Sequence, residues 1–112
     1  MSDRTMRVIA EECHAVAKKS GWWTSQRAIP EMLMLMVTEL AEAMEEYRNG
    51  HTAKDVYYRA DGKPEGFGVE LADTVIRIFD VATGLGIDIT DLVEVKIAYN
   101  KTRPYRHGGK IA

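Results

Sequence analysis

Two segments of the chain, from about Pro30 to Asn49 and from about Pro64 to Thr83, carry apolar residues over more helical surface than one packing face requires. At about 100° per residue, Val69, Leu71, Ala72, Val75, Ile76, Ile78, Phe79 and Ala82 span roughly 200°. Met32, Leu33, Met36, Val37, Leu40 and Met44 span a similar arc of the earlier segment, whereas an ordinary surface helix needs about 100°. Each helix is left with a narrow polar stripe: Thr38, Glu39, Glu42, Glu45 and Glu46 on one, Glu70, Asp73, Thr74, Arg77 and Asp80 on the other. A helix with so wide an apolar surface packs on two sides. Four short helices supply one layer of core, so the second side is expected to meet another copy of the chain, as a homodimer or homotetramer.

Breakers delimit the remaining elements. Pro30, Pro64, Pro104 and the glycine clusters divide the chain into four helix-length segments, the other two running from about Thr5 to Lys19 and from about Asp88 to Lys101. No segment alternates with period two. The expected fold is therefore all-α: a four-helix-bundle-like protomer, its helices antiparallel and the bundle completed by oligomerisation. His51 to Lys63 is polar and aromatic without periodicity and reads as a long loop with room for one helical turn.

With 112 residues, the chain reads as a single domain over residues 1–112. A composition of 46% hydrophobic and 29% charged residues is that of a folding chain. The net charge of -2 offers no field for a polyanion, which argues against a nucleic-acid partner. Met1 to Thr5 mixes charges without an apolar run, and the longest strictly apolar stretch is Met32 to Val37. Neither a targeting segment nor a membrane span is expected, and the cytoplasm is the expected location. Cys13 is the lone cysteine and reads as a small buried hydrophobe.

The polar stripes carry the chemistry. Glu39 and Glu42 stand three residues apart, as do Glu70 and Asp73, so each pair projects from one helix face. Antiparallel packing would bring both pairs into one pocket. Like charges there repel by about 3 to 4 kcal/mol per pair at an effective dielectric of about 20. Such a cluster needs cations or strongly raised pKa values. Oxygen ligands without His or Cys select Mg²⁺, with Mn²⁺ as a possible substitute, and magnesium's remaining positions suit phosphate oxygens. Glu46, four residues after Glu42, is a candidate to complete the shell; it and Glu45 otherwise belong to a solvated face. Lys96, Asn100 and Arg103 step by four and three along the last helix and share a face whose two cations and amide suit phosphate groups, or else form an ordinary cationic helix end. Arg27 is a candidate to read a base edge or to pair with an acid. Gly108 and Gly109 lie between His107 and Lys110, and this segment is either a phosphate-closing backbone nest or a frayed terminus.

The text Thr38-Glu39-Leu40-Ala41-Glu42-Ala43, then Glu70-Leu71-Ala72-Asp73, is an ExxE…ExxD arrangement. Together with Lys63-Pro64-Glu65-Gly66-Phe67-Gly68 and Lys96 to Arg103, it resembles the MazG-like all-α nucleoside triphosphate pyrophosphohydrolases over roughly Trp22 to Lys110. That resemblance implies cleavage of a nucleoside triphosphate between its α and β phosphates to the monophosphate and pyrophosphate, a nucleotide house-cleaning activity. It implies Glu39, Glu42, Glu70 and Asp73 as magnesium ligands, and Glu39 or Glu42 as the carboxylate that orients the attacking water or takes its proton. It also favours Asn100 as a nucleotide contact and Trp23, more than Trp22, as a base-stacking aromatic. The rival from another class is a non-catalytic helical interaction module whose acidic faces are solvated.

Overall fold

The computed structural model describes residues 4–112, so Met1, Ser2 and Asp3, on which the leader reading partly rests, lie outside it. The element order is α1 (Met6–Lys19), α2 (Ile29–Arg48), β1 (Tyr57–Tyr58), β2 (Pro64–Glu65), α3 (Phe67–Gly84), α4 (Ile89–Asn100) and α5 (Arg106–Gly109). The chain is mainly helical, and the four long helices fall where the apolar periodicity puts them. The Thr5 hydroxyl caps α1 by accepting from Val8 N at 3.2 Å, Pro30 stands in the first turn of α2, and the Asp88 carboxylate caps α4 by accepting from Asp91 N at 3.1 Å.

Helix α3 is the centre of the molecule, with α1 and α2 packed on it but not on each other. Both neighbours run antiparallel to it: Ala10 and His14 of α1 meet Thr83 and Asp80, while Glu39 of α2 meets Arg77. The buried apolar side chains are few and mostly small, namely Ala10, Met32, Ala43, Val81 and Ala82. Small residues let α1 and α2 approach α3 closely, and Gly84 does the same for the α1–α2 connection. A Cβ at Gly84 would run into the Trp23 ring.

Two expectations are corrected. The third helix begins at Phe67 rather than near Pro64, because Pro64 and Glu65 pair antiparallel with Tyr58 and Tyr57. Proline drives the residue before it into extended backbone, and Gly66 then takes φ 141° where a Cβ would strike the Asp55 carbonyl oxygen. The segment read as a loop is thus partly a β-hairpin, closed by Arg59 N donating to the Lys63 carbonyl at 2.9 Å around Asp61-Gly62.

The described helices do not close a bundle by themselves. Helix α4 meets α1 and α3 but not α2, and an Arg7–Asp88 ion pair at 2.8 Å ties its start to α1. From Glu94 to Asn100 every residue is exposed. The radius of gyration is 16.5 Å, against about 13 Å for a compact domain of this length. No helix among the described residues is long and apolar enough to cross a membrane.

Candidate metal and nucleotide site

The antiparallel seam of α2 and α3 brings the acidic stripes face to face. One carboxylate oxygen each from Glu39, Glu70 and Asp73 lie within 4.8 Å of one another. Glu39 and Glu70 are buried and Asp73 is half-buried. Glu42 is exposed and stands outside this triad, with its carboxylate against that of Glu70. Arg77 Nε donates to Glu39 Oε1 at 2.8 Å. That arginine, one turn after Asp73, was assigned no role from the sequence; its position on the Asp73 face was the available signal.

The electrostatics follow from burial. Glu70 is pushed up to about 8, first by desolvation, then by its hydrogen bond to Glu42 and by the charges of Glu42, Asp73 and Glu39. Asp73 is raised as well, by desolvation and then by Glu39, with the nearby Lys63 charge acting the other way. Glu70 Oε2 is buried with no hydrogen-bond partner. An orphaned carboxylate oxygen inside an all-oxygen donor set fits a hard divalent cation, whose charge would lift the repulsion.

A cavity of about 290 Å³ adjoins the triad, lined by Glu39, Asp73 and Arg77 together with Arg27, Asp80 and Trp22 and the apolar Val16, Ala17 and Ile76. Cys13 also lines it, half-buried, and desolvation followed by the Asp80 charge pushes its thiol up, away from nucleophilic character.

Asp80 is the anchor of this wall. Its Oδ1 accepts from Trp23 Nε1 at 2.8 Å and from His14 Nδ1 at 2.9 Å, and its Oδ2 pairs with Arg27 at 3.3 Å. Arg27 thus pairs with an acid while also lining the cavity, and its guanidinium lies 5.0 Å from the Trp23 ring centroid. Trp23 also meets His14 edge-on, so its indole is held by the protein. The exposed indole that lines the cavity belongs to Trp22.

The remaining candidates are elsewhere in the molecule. Lys96 and Arg103 flank the Tyr99 ring at 5.1 and 5.7 Å, and neither they nor Asn100 line the cavity. The tail forms a left-handed turn, with φ 52° at Arg106 and His107 and about 90° at Gly108 and Gly109. The N–H groups of residues 107–110 all bond back to Pro104, Tyr105 or Arg106, so they are spent within the turn rather than open to phosphate. Lys110 is exposed there. Glu45 is exposed and pairs with Arg48, as a solvated face would have it.

Glu46 is half-buried. Its carboxylate accepts from the Tyr57 hydroxyl at 2.8 Å, and that bond, with burial and the charges of Glu46, Glu65 and Glu70, pushes the phenol up to about 12. Glu46, Glu65 and Glu70 each bring a carboxylate oxygen within 4.8 Å of the others. Glu65 was not among the residues singled out from the sequence, because its position depends on the hairpin. Comparison with family models, curated proteins and solved structures finds no match to this chain.

Proposed function

We propose that the chain is a magnesium-dependent nucleotide pyrophosphohydrolase of the MazG-like kind, splitting nucleoside triphosphates into the monophosphate and pyrophosphate. The observation that carries this reading is the convergence of Glu39, Glu70 and Asp73, from the ExxE and ExxD pairs, beside a cavity lined by two arginines and an indole. Glu39, Glu70 and Asp73, with Glu42 alongside, would hold magnesium, with manganese as a substitute; the ion's contribution is to neutralise phosphoryl charge and make water more acidic.

The protein's own groups do the rest. Water forms a bond to the α-phosphorus as the α–β phosphoanhydride breaks, and pyrophosphate carries away the bond's electron pair. Glu39 is engaged by Arg77, so Glu42 is the better carboxylate to orient the water and take its proton. Arg77 and Arg27 face the anionic chain and Trp22 offers a stacking surface for the base.

Lys96, Asn100 and Arg103 join the site only if a second copy supplies them. Support for such a copy comes from α2, where Leu33, Val37, Leu40, Met44 and Tyr47 follow a four–three spacing and are each about half exposed or more. That is the seam of a helix-to-helix interface left open. On this reading the chain is a homodimer or homotetramer, and Leu40→Glu shifts its sedimentation toward the 12.6 kDa monomer.

Turnover is read as phosphate released by added inorganic pyrophosphatase, across the ribo- and deoxynucleoside triphosphates with magnesium. Glu42→Gln is expected to lower kcat at least about a hundredfold with the helical circular-dichroism spectrum retained. No turnover of any triphosphate by the wild-type chain refutes the reading.

A further inference from the structure

Among the described residues, Arg77 is the cation in bonding contact with the Glu39–Glu70–Asp73 triad, and it is held at a single point. Its Nε donates to Glu39 Oε1 at 2.8 Å, and the guanidinium makes no other hydrogen bond. A guanidinium built to fix a carboxylate grips it with two parallel N–H groups, whereas here both Nη groups are uncommitted. Arg77 also lines the cavity of about 290 Å³ beside Glu39 and Asp73. Its side chain is 29% exposed against 11% for Glu39, so the carboxylate is enclosed while the arginine has open space beside it. Four residues after Asp73 and seven after Glu70, it leaves the same face of α3 as those two acids and reaches across to α2.

Glu39 cannot serve two cations equally well. A divalent ion at the triad and a guanidinium on the same enclosed carboxylate repel as like charges, where solvent screening is weak. We propose that Arg77 is a latch with two positions, holding Glu39 while the triad lacks a divalent cation and turning to the phosphate chain of the substrate once Glu39 serves that cation. The proposal rests on the reading above and adds an order of events to it. A cation alone must displace Arg77 and binds weakly. A cation together with a triphosphate gives the displaced guanidinium an anion to meet, so the two bind cooperatively. An arginine that only braced Glu39 would act in the opposite direction, because loss of a group that orients a metal ligand weakens metal binding.

Two measurements on the full chain decide between these. Mn²⁺ titrated without nucleotide, with free ion read by electron paramagnetic resonance, is expected to bind Arg77→Met at least about fivefold more tightly than the wild type. The same variant, in saturating Mg²⁺, is expected to bind a triphosphate with a non-hydrolysable α,β-methylene bridge at least about tenfold more weakly. The second measurement uses the wild-type chain and holds even if Arg77→Met fails to fold. Its Arg77 Nε–H nuclear magnetic resonance signal, assigned through bonds to its own backbone, is expected to move toward that of a solvent-exposed arginine when Mg²⁺ alone is added. Mn²⁺ binding that is unchanged or weaker in Arg77→Met, triphosphate binding that does not weaken, or an Nε–H signal that stays in place while Mg²⁺ binds overturns the latch and leaves the proposed hydrolase standing. A wild-type chain that binds no Mn²⁺ overturns both.

Discussion

Helix α3 buries two carboxylates, Glu70 and Asp80, in opposite surroundings. Around Asp80 stand three donors, from Trp23, His14 and Arg27, all on α1 or the connection that follows it. Around Glu70 stand further acids, from α2, from β2 and from its own helix, and one of its oxygens has no partner at all. A buried acid surrounded by donors cross-links the fold. One surrounded by acids weakens it, and is better explained by a functional role than by stability.

The largest effect should come from the satisfied acid. Asp80→Ala leaves the Trp23, His14 and Arg27 donors without their acceptor and is expected to cost about 4 kcal/mol in urea unfolding, with or without magnesium. A loss below about 1 kcal/mol would make Asp80 as dispensable as a surface charge.

Next is the packing that holds the same cluster together. Gly84→Ala sets a methyl group against the Trp23 ring and is expected to destabilise by about 2 kcal/mol, with a matching change in indole fluorescence. Wild-type stability in this variant would mean that the close approach of Trp23 to α3 is not needed.

Smallest, and opposite in sign, is the response of the unsatisfied acid. In the folded chain burial and the neighbouring acids push Glu70 up to about 8, above the ordinary glutamate value of 4.5. Without divalent cation, the native state therefore keeps a proton that the unfolded chain has released. The stability this contributes is fully present below about pH 4.5 and is lost as pH rises through about 8. Glu70→Gln should flatten that slope and raise the metal-free melting temperature at pH 8 by a few degrees, the equivalent of about 1 kcal/mol, while removing the further rise that magnesium gives the wild-type chain. A metal-free stability that climbs between pH 5 and 8, with the same slope in Glu70→Gln, would show Glu70 to be an ordinary ionised carboxylate.

What could be read from the residues is what depends on short-range periodicity. Helix limits follow from a 3.6-residue repeat and nearby breakers, and the pairing of Glu39 with Glu42 and of Glu70 with Asp73 follows from one helical turn. The hairpin was within reach, since Tyr57 and Tyr58 precede an Asp61-Gly62 turn that favours strand reversal, but its strands are two residues long and show no alternation.

Only the tertiary structure decided which acid belongs where. Asp80 and Glu70 occupy the same stripe of one helix and look alike in the sequence, yet donors from distant segments reach one of them and not the other. Glu65 enters the acidic seam because a hairpin turns it there, Arg77 meets Glu39 because α2 and α3 run antiparallel, and Trp23 turns to Asp80 while Trp22 faces the cavity. Local chemistry sets which groups a helix presents, but their charge state and their neighbours come from segments dozens of residues away, and those contacts leave no periodic trace in the chain.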